Sequence, residues 1–167
     1  MEELLAMTTF DERAAVGEAH EILVADELYQ RNWIVTRWGQ GILPEITRQA
    51  IRDAQCKFAH FPDLIAARDD EVIAIDAKAS LHSVKTGRYA VSYDCVTFGV
   101  KFYANFEMPL YYVFDNLGVL IPTEIRAYGR RGPSSPRGAY YLVPGELAHR
   151  FDDIFGEPGE GGLSAAA

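Results

Sequence analysis

Cysteine is scarce in this chain. Cys56 and Cys95 are the two among 167 residues, too few for a disulfide scaffold or a four-cysteine zinc site. Neither has a His or Cys neighbour at metal-ligand spacing, so both read as small apolar residues. No apolar run approaches the ~18 residues of a membrane helix. The opening Met1-Glu2-Glu3 is acidic where a secretory leader would be basic, which makes a cytoplasmic location the expectation. There is no G-x-S-x-G elbow, no Walker loop and no G-x-G-x-x-G turn, so the usual hydrolase and nucleotide-binding signatures are missing. There is no internal repeat. Residues 156–167 (GEPGEGGLSAAA) have little to bury and read as a disordered tail after a single domain over 1–155.

Charge of one sign is also short: 16 basic residues face 24 acidic ones, for a net charge of −8. That average argues against a nucleic-acid partner. The distribution is uneven, however. Residues 1–77 carry −8, residues 78–138 carry +4 and residues 139–167 carry −4. The middle third can present a basic surface that the average hides; a chance fluctuation of surface charge is the plainer reading.

What is present is a mixed pattern. Thr9-Phe10-Asp11-Glu12 fits a capping box opening a helix from about Phe10 to Gln30. Ala15, Ala19, Ile22 and Leu23 supply one apolar stripe. Ala14, Gly17, Ala25 and Leu28 supply a neighbouring one that includes Glu21. Asp26, Glu27, Gln30 and Arg31 read as solvated, and Asn32 suits the helix end. A strand over Trp33–Thr36 follows, then a loop and short helix over Gly39–Arg52. Phe61–Ala67 and Val72–Lys78 read as a hairpin turning at Arg68–Glu71, apolar on both faces and so covered on both sides. A helix over Val91–Phe106, a second hairpin (Leu110–Phe114, Val119–Thr123), a basic loop Tyr128–Gly138, a strand Tyr140–Val143 and a last helix Glu146–Phe155 complete the chain. This order predicts an α/β fold: a three-layer α/β/α core with a central mixed sheet flanked by helices.

The first hairpin carries the chemistry. If Asp69 and Asp70 form a two-residue turn, 65 faces 74 and Asp63 faces Asp76. Lys78, two residues on, points to the same face. Two carboxylates would then oppose each other with Cβ atoms roughly 5 Å apart, a destabilising pair unless compensated. A divalent cation removes the conflict, and two carboxylates plus waters suit Mg²⁺. Lys78 can hold a phosphate oxygen or polarise an attacking water. Glu21 supplies a candidate third carboxylate. Taken singly, Asp76 and Lys78 are a surface pair, Asp63 a turn cap after Pro62, and Glu21 a solvated helix residue.

Pro62-Asp63, twelve intervening residues, and Asp76-Ala77-Lys78 together resemble the PD-(D/E)xK nuclease motif. Gly17-Glu18-Ala19-His20-Glu21, followed eleven residues later by Asn32–Arg37, is similar to the first motif of archaeal Holliday-junction resolvases and related small endonucleases. The resemblance spans about residues 10–125 and implies a restriction-endonuclease-like fold. It implies Mg²⁺ (or Mn²⁺) bound by Asp63, Asp76 and Glu21, with Lys78 assisting water attack on a phosphodiester. The acid before Lys78 is aspartate rather than the commoner glutamate, the resolvase glycine is Asn32 here, and Trp38–His60 is longer than a minimal resolvase needs. With no cysteine cluster, the iron–sulfur branch of the superfamily does not apply. Glu18 competes with Glu21, which is preferred for its spacing to Trp33. His20 and His60 are set aside, His20 as a surface or packing residue.

Lys85, Arg88, Lys101, Arg130 and Arg131 are candidate phosphate contacts, with Arg126 and Arg137 beside the flexible loop. The alternative is a solvated basic loop. Tyr89, Tyr93, Tyr103, Tyr111 and Tyr112 suit base stacking or, more simply, a core. The expectation is thus a Mg²⁺-dependent deoxyribonuclease with DNA as substrate, selective for junction or branched DNA. A homodimer through Phe98–Tyr112 and a protein partner in a DNA-processing complex are consistent with it. The alternative is an inactive or partner-dependent nucleic-acid-binding module on the same fold.

Overall fold

The computed structural model describes residues 10–79, 82–83, 85–132 and 138–159. Thr9 of the expected capping box, Arg137 of the basic loop and most of the expected tail lie outside them. Helix α1 (Phe10–Tyr29) ends before Asn32, whose φ of 63° is the left-handed turn that asparagine tolerates. Its buried side is His20, Val24 and Leu28, at the i, i+4 spacing of one helix face. Ile22 and Leu23, expected in an inward stripe, are instead 50% and 42% exposed. With that rotation Glu21 is half-buried on the flank of the sheet-facing side. Arg31, expected in solvent, is buried. Two carboxylates and two carbonyls take up its guanidinium, and a side chain so satisfied no longer needs water.

Strands β1 (Ile34–Arg37), β2 (Leu64–Arg68) and β3 (Glu71–Lys78) run antiparallel. The β2–β3 hairpin has the expected register, Arg68↔Glu71, Ile65↔Ala74 and Leu64↔Ile75. Asp69 takes the positive φ that a two-residue turn requires. On the far side β3 pairs in parallel with β6 (Leu110–Phe114), which pairs with β7 (Val119–Leu120), giving the order β1-β2-β3-β6-β7. A parallel pair needs a crossover. Here it is β4 (His82–Ser83), β5 (Arg88–Ser92) and helix α3 (Tyr93–Phe106).

Alternate residues of the sheet feed two cores. Leu64, Ala66, Ile73 and Ile75 pack with Val24 and Leu28 of α1 and with Phe151 and Phe155 of α5 (Phe151–Phe155). Ala74, Leu110, Tyr112 and Phe114 pack with Val96 and Phe102 of α3 and Ile125 of α4 (Pro122–Tyr128). Coverage on both faces is why the hairpin strands lack polar alternation.

Four elements differ from expectation. The helix expected from Val91 begins at Tyr93, because Ser92 caps it, its Oγ accepting from the Cys95 amide at 3.2 Å. The strand expected over Val119–Thr123 stops at Leu120, since Pro122 opens α4, where a missing N–H leaves no bond unmade. The expected last helix divides into a 3₁₀ turn (Gly145–Leu147) and α5. Two further strands, β8 (Arg130–Arg131) and β9 (Tyr140–Pro144), join β4 and β5 in a second, antiparallel sheet of order β4-β5-β9-β8, with β8 inside the expected loop. Within the described part of the expected tail, the Gly156 carbonyl accepts from Arg31 Nε and the Gly159 amide donates to the Gln30 carbonyl.

Candidate active site

Asp63 precedes β2 and is fixed by its backbone. Its amide donates to the Ile75 carbonyl at 2.9 Å, and its carbonyl accepts from the Trp38 amide at 2.7 Å. Gly39, next to Trp38, lies so close to Pro62 that an added Cβ would stand 2.5 Å from the Pro62 carbonyl oxygen, and its φ is +59°. Glycine is therefore required at this approach. The Asp63 side chain is held too, with Oδ2 accepting from the Ala77 amide at 2.8 Å.

Asp76 lies across the hairpin on the α3 side of the sheet, the side of its neighbour-but-one Ala74. It is buried, and its Oδ2 accepts from Lys78 Nζ at 2.6 Å. Lys78 Nζ also lies 5.0 Å from the centre of the Tyr112 ring. Behind Asp76, Cys95 Sγ is 3.6 Å from the same Oδ2, and the Tyr112 hydroxyl donates to the Cys95 carbonyl at 2.9 Å. The residues flanking Cys95 in sequence suggest plain apolar filling. The structure shows instead a buried thiol against a candidate ligand, of which the chain gives no local sign.

The electrostatics are strained. Burial, and then the Asp76 charge, push the Asp63 carboxyl well above the ordinary aspartate range, against the pull of Lys78 and the Ala77 amide. Burial opposes the Lys78 ammonium, but Asp76, Cys95 and Asp63 outweigh it and keep the lysine protonated beyond its usual range. Glu21 is raised by burial and by Glu18 and Asp76, while Arg37 and Arg48 lower it. That mutual influence places Glu21 in the same field as the two aspartates, although its nearest cation, Arg37, is 4.0 Å away. Glu18 is exposed and pairs with Arg37 at 3.1 Å. His20 bonds the Val113 carbonyl at 3.0 Å and ties α1 to β6.

Among the described residues, no three Asp, Glu, His or Cys side chains form a ready-made metal cage. The donor set nevertheless suits a hard divalent cation. Asp63 and Asp76 share one face, Glu21 stands near, and Lys78 is the single ammonium among them; ligation by two carboxylates and waters is ordinary for Mg²⁺. Glu21 also forms part of the wall of a cleft of about 960 Å³ between α1 and α2 (Glu45–Asp53), with Arg37, Arg48 and Arg52. Sequence reasoning missed those three arginines; the length of Trp38–His60 was the available signal.

The expected phosphate contacts do not gather at one place. Lys85 is exposed before β5, and Lys101 is exposed on α3. Arg88 and Arg130 share the outer face of the second sheet, since Arg130 pairs with Leu142 and Leu142 with Ala90. Arg131 is exposed on the adjacent position. Of the five tyrosines, Tyr89 and Tyr112 are core residues, and Tyr103 is 56% exposed.

This sheet order, with helices on both faces, is a restriction-endonuclease-like fold. Solved structures that share it include the following two. A Holliday junction resolvase, Hjc, from Archaeoglobus fulgidus aligns over 84% of this chain and 96% of its own, at 14% identity and a TM-score of 0.55. D212, a nuclease from a fusselovirus, aligns over 84% and 90%, at 16% identity and a TM-score of 0.50. No protein-family model and no curated protein sequence matches the chain. No helix among the described residues is long and apolar enough to cross a membrane.

Proposed function

We propose that the chain is a DNA endonuclease of PD-(D/E)xK type, dependent on Mg²⁺ or Mn²⁺ held by Asp63 and Asp76, with Glu21 completing the set. The observation that carries this reading is the placement of Asp63, Asp76 and Lys78 on one sheet face, where an apolar core gives way to charge. The two fold neighbours described above, a Holliday junction resolvase and a viral nuclease, support it. When bound, the cation supplies charge neutralisation and a more acidic water. Asp63, anchored through the Ala77 amide, presents its remaining lone pairs to the site. Lys78, kept protonated, offers its ammonium to a non-bridging phosphate oxygen or to the attacking water. Cys95 and Tyr112 back Asp76 and exclude water from behind it. Arg88, Arg130 and Arg131 on the second sheet, with Lys85, contact phosphates and set position rather than sequence, whereas Lys101 stands apart from them on α3. Selectivity for junction or branched DNA belongs to the same proposal, as do a homodimer and cytoplasmic action.

A second reading, a nuclease-fold binding module that is inactive or relies on a partner, is favoured by one observation. Lys78 occupies an Asp76 oxygen at 2.6 Å, and no third ligand joins the pair as a cage among the described residues. The discriminating experiment is cleavage of linear duplex, single-stranded, flap and four-way-junction DNA with Mg²⁺, Mn²⁺ or EDTA, by the wild type and Asp76→Ala. Metal-dependent cutting that the variant loses supports the nuclease. No cutting of any DNA, with salt-dependent binding retained, supports the module.

A further inference from the structure

A second pocket, of about 540 Å³, opens between the C-terminal half of α2, the 3₁₀ turn Lys57–His60 and the outer side of α3. Its size is within the ~300–1,000 Å³ of small-ligand sites. Its wall is basic in an acidic protein. Arg52, Lys57 and Lys101 face one carboxylate, Asp94, and His60 lies among them. Arg52 is engaged by Glu45 at 2.6 Å. Lys57 and Lys101 make no ion pair with any described residue, so their charge is available to a ligand. The apolar side is Phe98, half-buried and backed by Phe61 and Phe102, each with ring centres 6.2 Å from it. The His60 ring stands 6.3 Å from Phe98 at a tilt of 47°. Cations beside a firmly backed aromatic face are what a nucleotide requires: ammonium groups for its phosphate and a ring for its base.

Two pocket residues neighbour the candidate active site along the chain. His60 is three residues before Asp63, and Asp94 precedes Cys95, whose Sγ lies 3.6 Å from Asp76. An intact duplex cannot lay a base on Phe98 without unstacking it, whereas an unpaired nucleotide can.

We propose that this pocket takes one unpaired nucleotide of the DNA substrate, its phosphate on Lys57 and Lys101 and its base against Phe98. The proposal rests on the nuclease reading and adds a binding subsite to it, one that takes an unpaired nucleotide such as an end or flap offers, in preference to uninterrupted duplex.

The test is binding in EDTA of a labelled oligothymidylate and a blunt duplex across a salt series, by anisotropy. Lys57 and Lys101 are exposed, so the double variant Lys57→Ala/Lys101→Ala keeps its fold. Its salt slope for the oligothymidylate should fall by about 0.7, the value for the one phosphate no longer neutralised. Phe98→Leu should lower affinity for the oligothymidylate ~5-fold or more, as removal of base stacking does. Duplex binding should stay within about two-fold in both variants. Cys56 lines the pocket and is exposed, whereas Cys95 is buried. Iodoacetamide labelling of Cys56 should therefore slow when the oligothymidylate is present. Unchanged oligothymidylate binding in the double variant, or unprotected Cys56, overturns the proposal. Equal weakening on duplex overturns it as well, since the lysines would then be a general phosphate patch. Metal-dependent cleavage by the same wild-type preparation, abolished in Asp76→Ala, shows in either case that the nuclease reading stands independently.

Discussion

Arg31 and Asp76 are both charged and both buried, on opposite faces of one sheet, yet their surroundings differ in kind. Arg31 is satisfied. Nη1 donates to the Glu27 carboxylate at 2.7 Å and carbonyl at 2.6 Å, Nε to the Gly156 carbonyl at 2.8 Å, and Nη2 to Asp152, while Phe151 lies under the guanidinium at 4.8 Å. Next to it Arg68 does the same, donating to the Phe155 carbonyl at 2.7 Å over the Trp33 ring. Two arginines thus fasten α1, β2 and α5 together. Asp76 has Lys78 and a thiol, but it faces a second carboxylate that its own charge pushes toward protonation. A charge buried for stability is surrounded until nothing is left over; a charge buried for chemistry is left in conflict until something binds.

The largest expected effects reverse the usual ranking of these two residues. Arg31→Met strands Glu27 and Asp152 and should cost about 3–5 kcal/mol in urea unfolding, the scale of breaking a buried pair, with Mn²⁺ affinity unchanged in calorimetry. Asp76→Asn relieves Asp63 but leaves the Lys78 ammonium without its carboxylate partner, so in the same unfolding the metal-free protein should lose clearly less than Arg31→Met does. The same change should lower metal affinity or cleavage by more than the ~10–100-fold typical of outer-sphere partners. If Asp76→Asn destabilises the protein as much as Arg31→Met does, the two clusters are alike and the distinction fails.

Titration sharpens the comparison. Asp63 binds its proton more tightly folded than unfolded, so its contribution favours the folded state below the ordinary aspartate range and is lost as pH rises through the raised folded value. Metal-free wild type and Asp63→Asn should therefore unfold alike near pH ~3, below that range. As pH climbs toward neutrality the wild type should fall behind, by about 1 kcal/mol or more if the cost resembles other uncompensated buried charges. Added Mn²⁺ should restore the wild type and leave the variant unmoved. A wild type that gains on Asp63→Asn with rising pH, without metal, contradicts the strain.

Much of the site's framework was legible because a hairpin obeys arithmetic. Once Asp69-Asp70 is the turn, period-two geometry places 63 opposite 76 and puts 78 on the same side, and the observed register is that one. The sheet's apolar strands were legible for the same reason. What escaped was whatever depends on distant partners. Arg31 reads as solvated because its ligands Asp152 and Gly156 lie far along the chain. Ile22 and Leu23 look like core because a helix rich in alanine has apolar residues on every side, and the packing of His20 on Val113 sets its rotation. The second sheet escaped because two of its strands are two residues long, too short to show a period. Cys95 escaped because nothing in a cysteine's neighbours along the chain reveals a carboxylate across the fold.

The smallest effect falls on the glutamates of α1, and it asks whether the conflict at Asp76 extends to the helix. Glu18 and Glu21 are three residues apart and both approach Arg37, at 3.1 and 4.0 Å. Glu18 is exposed, so its ion pair is worth little and is screened by salt. Glu21 is half-buried, raised by burial and by Asp76, and walls the cleft beside the site. Glu18→Gln should leave cleavage within about two-fold, the scale of a broken surface pair. Glu21→Gln should reduce it ~10-fold or more, as removal of a supporting metal-site group does, with a matching drop in Mn²⁺ affinity. Asp63 supplies the internal check. If Glu21 shares its field, Glu21→Gln removes one of the charges raising the Asp63 carboxyl, so the fall in metal-free stability with rising pH should be smaller and should end at a lower pH. Equal activity losses in the two variants, with no such movement, would mean that the helix contributes only its packing and that Asp63 and Asp76 alone make up the carboxylate site.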